Sequence, residues 1–224
     1  MASSGTTSFN LSIDEVIEEA YERCGLRTNS GHDIKSARRS LNLLFSEWGN
    51  RGINLWKVKS QTETLVNGTV TYNTPDDCND VLEAVVTTTA GTQQTLTKVS
   101  RSEYIAIPNK TQTGTPSQYY VDRQINPTIS LYLAPDTSAV TNIFYYYLAR
   151  IEDAGAYTNT TDMPFRFFPC MVSGLAFYLS QKVAPDRIQA LKLFYEDELK
   201  RALDEDGQRA SVYISPNVYY PQGS

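Results

Sequence analysis

Asp76, Asp77 and Asp80 form the tightest acidic group in the middle of the chain, and could in principle bind calcium or pair a general acid with a general base. Their spacing lacks the glycine and distal glutamate of a calcium loop, so a turn carrying solvated acids is expected. A carboxylate pair such as Asp77 and Glu83 would suit a hydrolase, but nothing in the spacing singles those two out. Asp204, Glu205 and Asp206 read as a solvated charge run closing a helix, where acids oppose the dipole. His32, the single histidine, is expected in an exposed turn. One imidazole removes most zinc sites, the Ser-His-Asp arrangement and any shuttle that needs a second ring. Cys24, Cys78 and Cys170 are too widely spaced for a CxxC clip or a disulfide framework, which leaves three buried thiols. Phosphate loop, dinucleotide glycine pattern and nucleophile elbow are all missing. The expectation is a protein that is not an enzyme, with no catalytic residues, no cofactor and no metal.

Binding chemistry has two further candidates. Arg38, Arg39, Arg51, Lys57 and Lys59 make the surroundings of one helix basic, able to touch phosphate or an acidic partner, or to serve as its wet face. Trp48, Trp56 and the run Tyr145 to Tyr147 could form a stacking platform for sugars or bases. Trp48 lies on an apolar stripe and is expected in a core.

The elements that must position these residues follow from 224 residues with a formal charge of −5, 41% apolar and 20% charged residues. This is a globular composition without the basic excess of a nucleic-acid binder. The longest charge-free apolar run, Phe167 to Gln181, is shorter than the roughly 20 residues that cross a bilayer, so no membrane span is expected. Met1 to Asn10 lack the pattern of a secretory signal, which points to folding in the cytoplasm.

From Ser12, the residues Ile13, Val16, Ile17, Ala20, Tyr21 and Cys24 lay one stripe along a helix. Ser12 and Glu15 make a capping box, Arg23 suits the far end, and Gly25 supplies a left-handed stop. Ile34, Ala37, Leu41, Leu44 and Trp48 write a second helix, and the short link through Asn29, Ser30 and Gly31 predicts an antiparallel pair. From about Ser60 to Arg150 the period turns to alternation, and 17 of the 23 threonines fall there, where branching at Cβ favours extended backbone. Asn67-Gly68 predicts a two-residue type I′ hairpin. Strands are expected near Val81–Thr87, Thr95–Val99, Tyr119–Asp122, Ile129–Leu133 and Ile143–Leu148. After a polar linker, Asp153 to Asp162, helical spacing returns in Phe168, Val172, Leu175, Leu179 and Val183, then in Ile188, Leu191, Tyr195, Leu199 and Ala202.

The fold class is therefore α+β. Four apolar stripes meeting in one body shed far more water than two separate pairs, which predicts a discontinuous four-helix bundle, 1–59 and 151–210, with an antiparallel β-sandwich or barrel inserted at 60–150. The last stretch, 211–224, is proline-punctuated and reads as an extended tail. Val212, Tyr213, Ile214, Val218, Tyr219 and Tyr220 are more apolar than water tolerates at a terminus, so a partner is expected to cover them.

The run Leu41 to Trp56, with Trp48-Gly49-Asn50-Arg51-Gly52-Ile53 at its centre, a β region, and Asp162-Met163-Pro164 leading into Gly174-Leu175-Ala176 resemble the head-to-tail adaptors of short-tailed bacteriophages, the tail tubular protein A group. That resemblance implies a structural virion protein of the neck or tail, assembled in the host cytoplasm. It implies a ring of about twelve copies beneath the portal protein, continuing the channel for double-stranded DNA toward a downstream nozzle protein. The tail residues at 212–214 and 218–220 would then bind portal. A carbohydrate- or receptor-binding module, or another neck or tail-completion protein, would be the alternative.

Overall fold

A computed structural model describes residues 5, 9, 11–28, 30–51 and 55–206. The fold is α+β, with helices at both ends of the described chain and antiparallel sheets between them. The first helix, α1, spans Ile13–Arg23, and the Ser12 backbone N–H donates to the Glu15 carboxylate over 2.8 Å, as the capping box requires. Gly25 follows at φ +77°, and a Cβ there would lie 2.7 Å from the guanidinium of Arg187. Arg187 uses that space to reach the carbonyl of Arg23, one of the acceptors that a helix end leaves open.

The second helix, α2, spans Gly31–Asn50 and is capped by the Ser30 hydroxyl, which accepts from the Asp33 N–H. His32 is thus the second residue of a helix rather than part of a turn, and it is exposed. After the β region come α4, Phe168–Val183, and α5, Ile188–Asp206. Ile13, Val16, Ile17 and Ala20 of α1, Leu41, Leu44 and Trp48 of α2, Cys170 to Ala176 of α4, and Leu191, Tyr195 and Leu199 of α5 form one buried cluster. Helix α4 touches all three others. Val183, expected on its apolar stripe, is exposed, because the buried arc of α4 runs from Cys170 to Ser180 and the helix is leaving the core by its last turn.

Ten strands lie between: β1 Val58–Thr64, β2 Thr71–Asn73, β3 Cys78–Thr88, β4 Gln93–Thr95, β5 Thr97–Lys98, β6 Thr113–Gly114, β7 Gln118–Asp122, β8 Thr128–Tyr132, β9 Ala134–Pro135 and β10 Val140–Ala149. One sheet has the order β1-β10-β3-β4 and the other β2-β8-β7-β5. Both are open, so no barrel closes. The pairs β5 with β7 and β6 with β9 are parallel. Val81, Ala84 and Val86 of β3, Tyr119 of β7, Ile129 and Leu131 of β8, and Ile143, Tyr145 and Tyr147 of β10 share a second buried cluster.

The hairpin expected at Asn67-Gly68 does not form. Gly68 is at φ +72°, but Asn67 is not at positive φ, so the type I′ condition of two left-handed residues fails. The Thr69 N–H closes on the Val66 carbonyl at 3.0 Å, while β1 pairs with β10 and β2 with β8. The turn passes the chain from one sheet to the other. The chain also contains a helix that alternation concealed, α3 at Arg101–Ala106, with its own Ser100 and Glu103 capping box.

Gly174 marks the closest approach in the helical core. A Cβ there would lie 2.8 Å from Leu44 Cδ2 and 2.9 Å from Tyr195 Cε2. Both neighbours are buried, and Tyr195 is held by Trp48, so neither can yield. Overpacking of this kind costs about 1–3 kcal/mol against about 1 kcal/mol gained in helix propensity. Gly174→Ala is therefore expected to lower the denaturant midpoint, and a midpoint at or above that of the wild type would refute the close packing of α2, α4 and α5.

Candidate functional site

The residues expected to meet portal, Val212, Tyr213, Ile214, Val218, Tyr219 and Tyr220, lie outside the described residues, as does the whole expected tail 211–224. What the structure describes is the body that would present them.

The run around Trp48 is a junction of three helices. The Trp48 indole N–H donates to the Tyr195 hydroxyl at 2.9 Å. The hydroxyls of Tyr195 and Tyr178 each donate to the Glu47 carboxylate at 3.2 Å. Arg51 donates to Glu47 at 2.8 Å and reaches Glu196 of α5 at 3.3 Å, with its guanidinium 5.9 Å from the centre of the Tyr195 ring. Burial raises the Tyr195 hydroxyl far above its ordinary value, so it remains a protonated donor. Trp48 is core, as its stripe predicts.

Three of the five expected basic residues are occupied inside the protein. Arg51 belongs to the junction just described. Lys57, expected on a wet face, is 3% exposed and pairs with Asp162, with Glu152 4.0 Å away. Lys59 donates to Asp77 at 2.8 Å. Arg38 donates to the Gly155 carbonyl at 3.2 Å and lies over the Tyr157 ring, and Arg39 is exposed.

The aromatic platform is likewise dispersed. Tyr145 and Tyr147 point into the β core, while Tyr146 is 45% exposed on the opposite face of β10, as strand alternation dictates. Trp56 packs on Phe167 at 4.5 Å between ring centres.

Two of the acidic candidates, Asp77 and Asp80, are also spoken for. Asp77 accepts from Lys59 and from the Tyr147 hydroxyl at 3.2 Å, and Asp80 accepts from Lys98 at 2.8 Å. Glu83 is exposed on β3. Partial burial raises the Asp77 carboxyl, but its bonds to Lys59 and Tyr147 outweigh that and leave it below the usual 3.8. Among the described residues no group of three His, Cys, Asp or Glu could hold a metal, and no helix is long and apolar enough to cross a membrane. All three cysteines are free and buried. Burial pushes the Cys170 thiol to about 12, far from the thiolate that a nucleophile needs.

Composition alone hid the work of the segment after β10. The expected linker, Asp153 to Asp162, is a strap. Its Asn159 and Tyr157 carbonyls accept from the N–H groups of Ile13 and Asp14 at 3.0 and 3.1 Å, satisfying donors that the start of α1 would otherwise leave open. The Ala154 N–H donates to Asn42 Oδ1 of α2 at 2.7 Å. A cleft of mixed lining lies beside this strap between α2 and the sheet of β3 and β10, with Phe45, Ala149 and Ile151 facing it as well as Asn42, Asn79 and Arg150. Apolar side chains also stand in water: Leu43 of α2 at 55%, and Leu193 and Phe194 of α5 at 72% and 62%.

A family model described as SU10 adaptor protein matches residues 15–219, both cores and the strap included. The chain belongs to that family. An SU10 adaptor is a phage structural protein, a component of the virion that meets portal and tail proteins. A comparison with curated proteins finds no match. In this adaptor the stretch Trp48 to Arg51 and Gly174 converge on Tyr195, so the motifs that carried the resemblance are two sides of one packing contact.

Two outcomes follow from these geometries. Asp162→Asn leaves the buried Lys57 ammonium with one distant carboxylate, and the expected cost is roughly 1–3 kcal/mol in denaturant melts. Adding Lys57→Met should restore most of it; a double variant no better than Asp162→Asn would show that the charge is not what is missed. For Asp77 the depressed folded value means that its contribution is present above pH 3.8 and is lost as pH falls through the lower folded value. Asp77→Asn should flatten that acid limb of the stability curve, and an unchanged limb would exclude the Lys59 pair as its source.

Proposed function

We propose that this adaptor assembles as a ring of about twelve copies that joins portal to tail and continues the DNA channel between them. The observation that carries this reading is the family match, which runs through the helical core, the β core and most of the aromatic stretch beyond Asp206. In this reading the four long helices act as a discontinuous bundle, 1–59 and 151–210. The two four-stranded sheets act as a sandwich projecting from it at 60–150. The tail 211–224 docks on the portal protein, giving up chain entropy to bury Val212, Tyr213, Ile214, Val218, Tyr219 and Tyr220. In element order the chain resembles the tail tubular protein A group, and a nozzle protein would follow below.

The role needs no catalytic step. The internal pairing of Asp77, Asp80, Lys57 and Lys59 and the burial of the three thiols are in keeping with a structural role. A cyclic ring joins one face of each subunit to a different face of the next, and exposed Leu43, Leu193 and Phe194 are suitable contact residues. The overall charge of −5 suits a channel through which DNA slides, because like charge discourages long-range adhesion. Assembly would occur in the host cytoplasm.

The mass of the protein alone and mixed with portal tests the reading directly, a ring-sized increment with portal being expected. Removal of 211–224 should leave melting unchanged and abolish attachment. Normal docking of the truncated protein would sink the role of the tail, whereas failure of the intact protein to join portal would sink the adaptor ring.

A further inference from the structure

Three cations on α2 remain outside the internal ion pairs. Lys35, Arg38 and Arg39, followed by Asn42, stand at spacings of three and four residues and line one shallow hollow. Such spacing places them on a single face of the helix. Lys35 and Arg39 are exposed. Arg38 is aimed rather than neutralised, since its partners are a carbonyl and an aromatic ring, Gly155 and Tyr157 of the strap. Within the described residues none of the three cations forms an ion pair, although acids outnumber bases in the whole chain by 25 to 20. Elsewhere in the molecule the cations Arg23, Arg51, Lys57, Lys59, Lys98 and Arg201 each face a carboxylate. These three stand on one helical face without a carboxylate partner, a place for an anion that the chain does not itself contain.

We propose that the α2 face of Lys35, Arg38, Arg39 and Asn42 is a contact site for the phosphodiester backbone of double-stranded DNA. Three features favour phosphate over an acidic protein surface. The hollow has no apolar lining residue, whereas protein interfaces have an apolar centre and phosphate-binding surfaces are polar, wet and strongly positive. Two of its three cations are guanidiniums, whose planar forks match phosphate oxygens in pairs. Its length also fits: seven residues of helix rise about 10 Å, and duplex phosphates on one strand advance about 3.4 Å per step along the axis, so two or three fall within reach. The net negative charge of the chain does not cancel the site, because at about 0.1 M salt screening confines each charge to about 10 Å.

Passing DNA would thus be repelled by the protein as a whole and touched at one place. This inference draws on the proposed channel only for its purpose in the virion. The test uses the isolated protein, so a negative result leaves the ring standing, and the mass measurement with portal judges the ring separately.

The experiment is a titration of a short duplex of arbitrary sequence with the full chain from about 0.05 to 0.2 M salt, with fluorescence anisotropy as the readout. Three contacts predict a slope of log affinity against log salt of about −2.7, at roughly −0.9 each. Lys35→Gln with Arg39→Gln removes two exposed side chains, should melt like the wild type, and should reduce the slope to about −0.9 while weakening binding. Arg38→Gln adds the third loss, and its melt shows whether the strap survives. Arg201→Gln, an exposed cation on α5, should change nothing. Absence of duplex binding, or equal binding by the Lys35/Arg39 double variant, would overturn the site. So would saturation by inorganic phosphate that displaces the duplex, the behaviour of a lone-anion pocket. If the double variant instead loses association with portal or with its own copies while duplex binding is unchanged, and Leu43→Ser does the same, the face belongs to an acidic protein partner and the phosphate assignment is wrong.

Discussion

The burial of α4 on nearly every side is the constraint on which the molecule depends. From Cys170 through Ala176 every residue is buried, so this stretch of α4 has no wet face and must be enclosed by several neighbours at once. Helices α1, α2 and α5 supply the enclosure. Two buried serines of α4 still need partners. Ser173 donates to Glu198 of α5 and accepts from Arg23 of α1, which ties three helices through one hydroxyl, while Ser180 returns its proton to the Phe177 carbonyl. Gly174 completes the arrangement by having no side chain where Leu44 and Tyr195 meet.

The segments that run between the helical and β cores are held by polar contacts as well as by apolar ones, with Trp56 and Ile151 packed on the helical core. Lys57, just before β1, is clamped by Asp162. The strap between them lends carbonyls to α1 and an N–H to α2. A joint of this kind specifies orientation through bond geometry, because each buried donor or acceptor that lost its partner would carry a desolvation penalty.

Much of this was legible in residue order wherever the signal was local. Ser12 with Glu15, Gly25 and the stripe ending in Trp48 each state a boundary within a few residues, and the structure has them where the spacing puts them. The Asn67-Gly68 turn is also real, but a four-residue signal cannot say which strands its arms will join, and they went to different sheets. Helix α3 was hidden because none of its residues is buried, so no stripe exists to read. The strap looked like a linker since its contribution is made by backbone groups, which every sequence possesses. Lys57 misled for a related reason: a lysine is written as a wet residue until a carboxylate distant in sequence, Asp162, arrives to pair with it. The six tail residues lie beyond the described chain, and their partner would in any case belong to another molecule.

The order of elements along the chain has a consequence for synthesis. Helices α1 and α2 end at Asn50, and the helix that must cover them begins at Phe168, about 120 residues later. At roughly 5–20 residues per second a ribosome takes about 6–24 s to deliver that cover. During this interval the apolar stripes of α1 and α2 have only each other to meet, while the strands following them can already settle among themselves. The N-terminal pair is the portion of the nascent chain with the greatest need of a chaperone, although in the finished protein it is among the best buried.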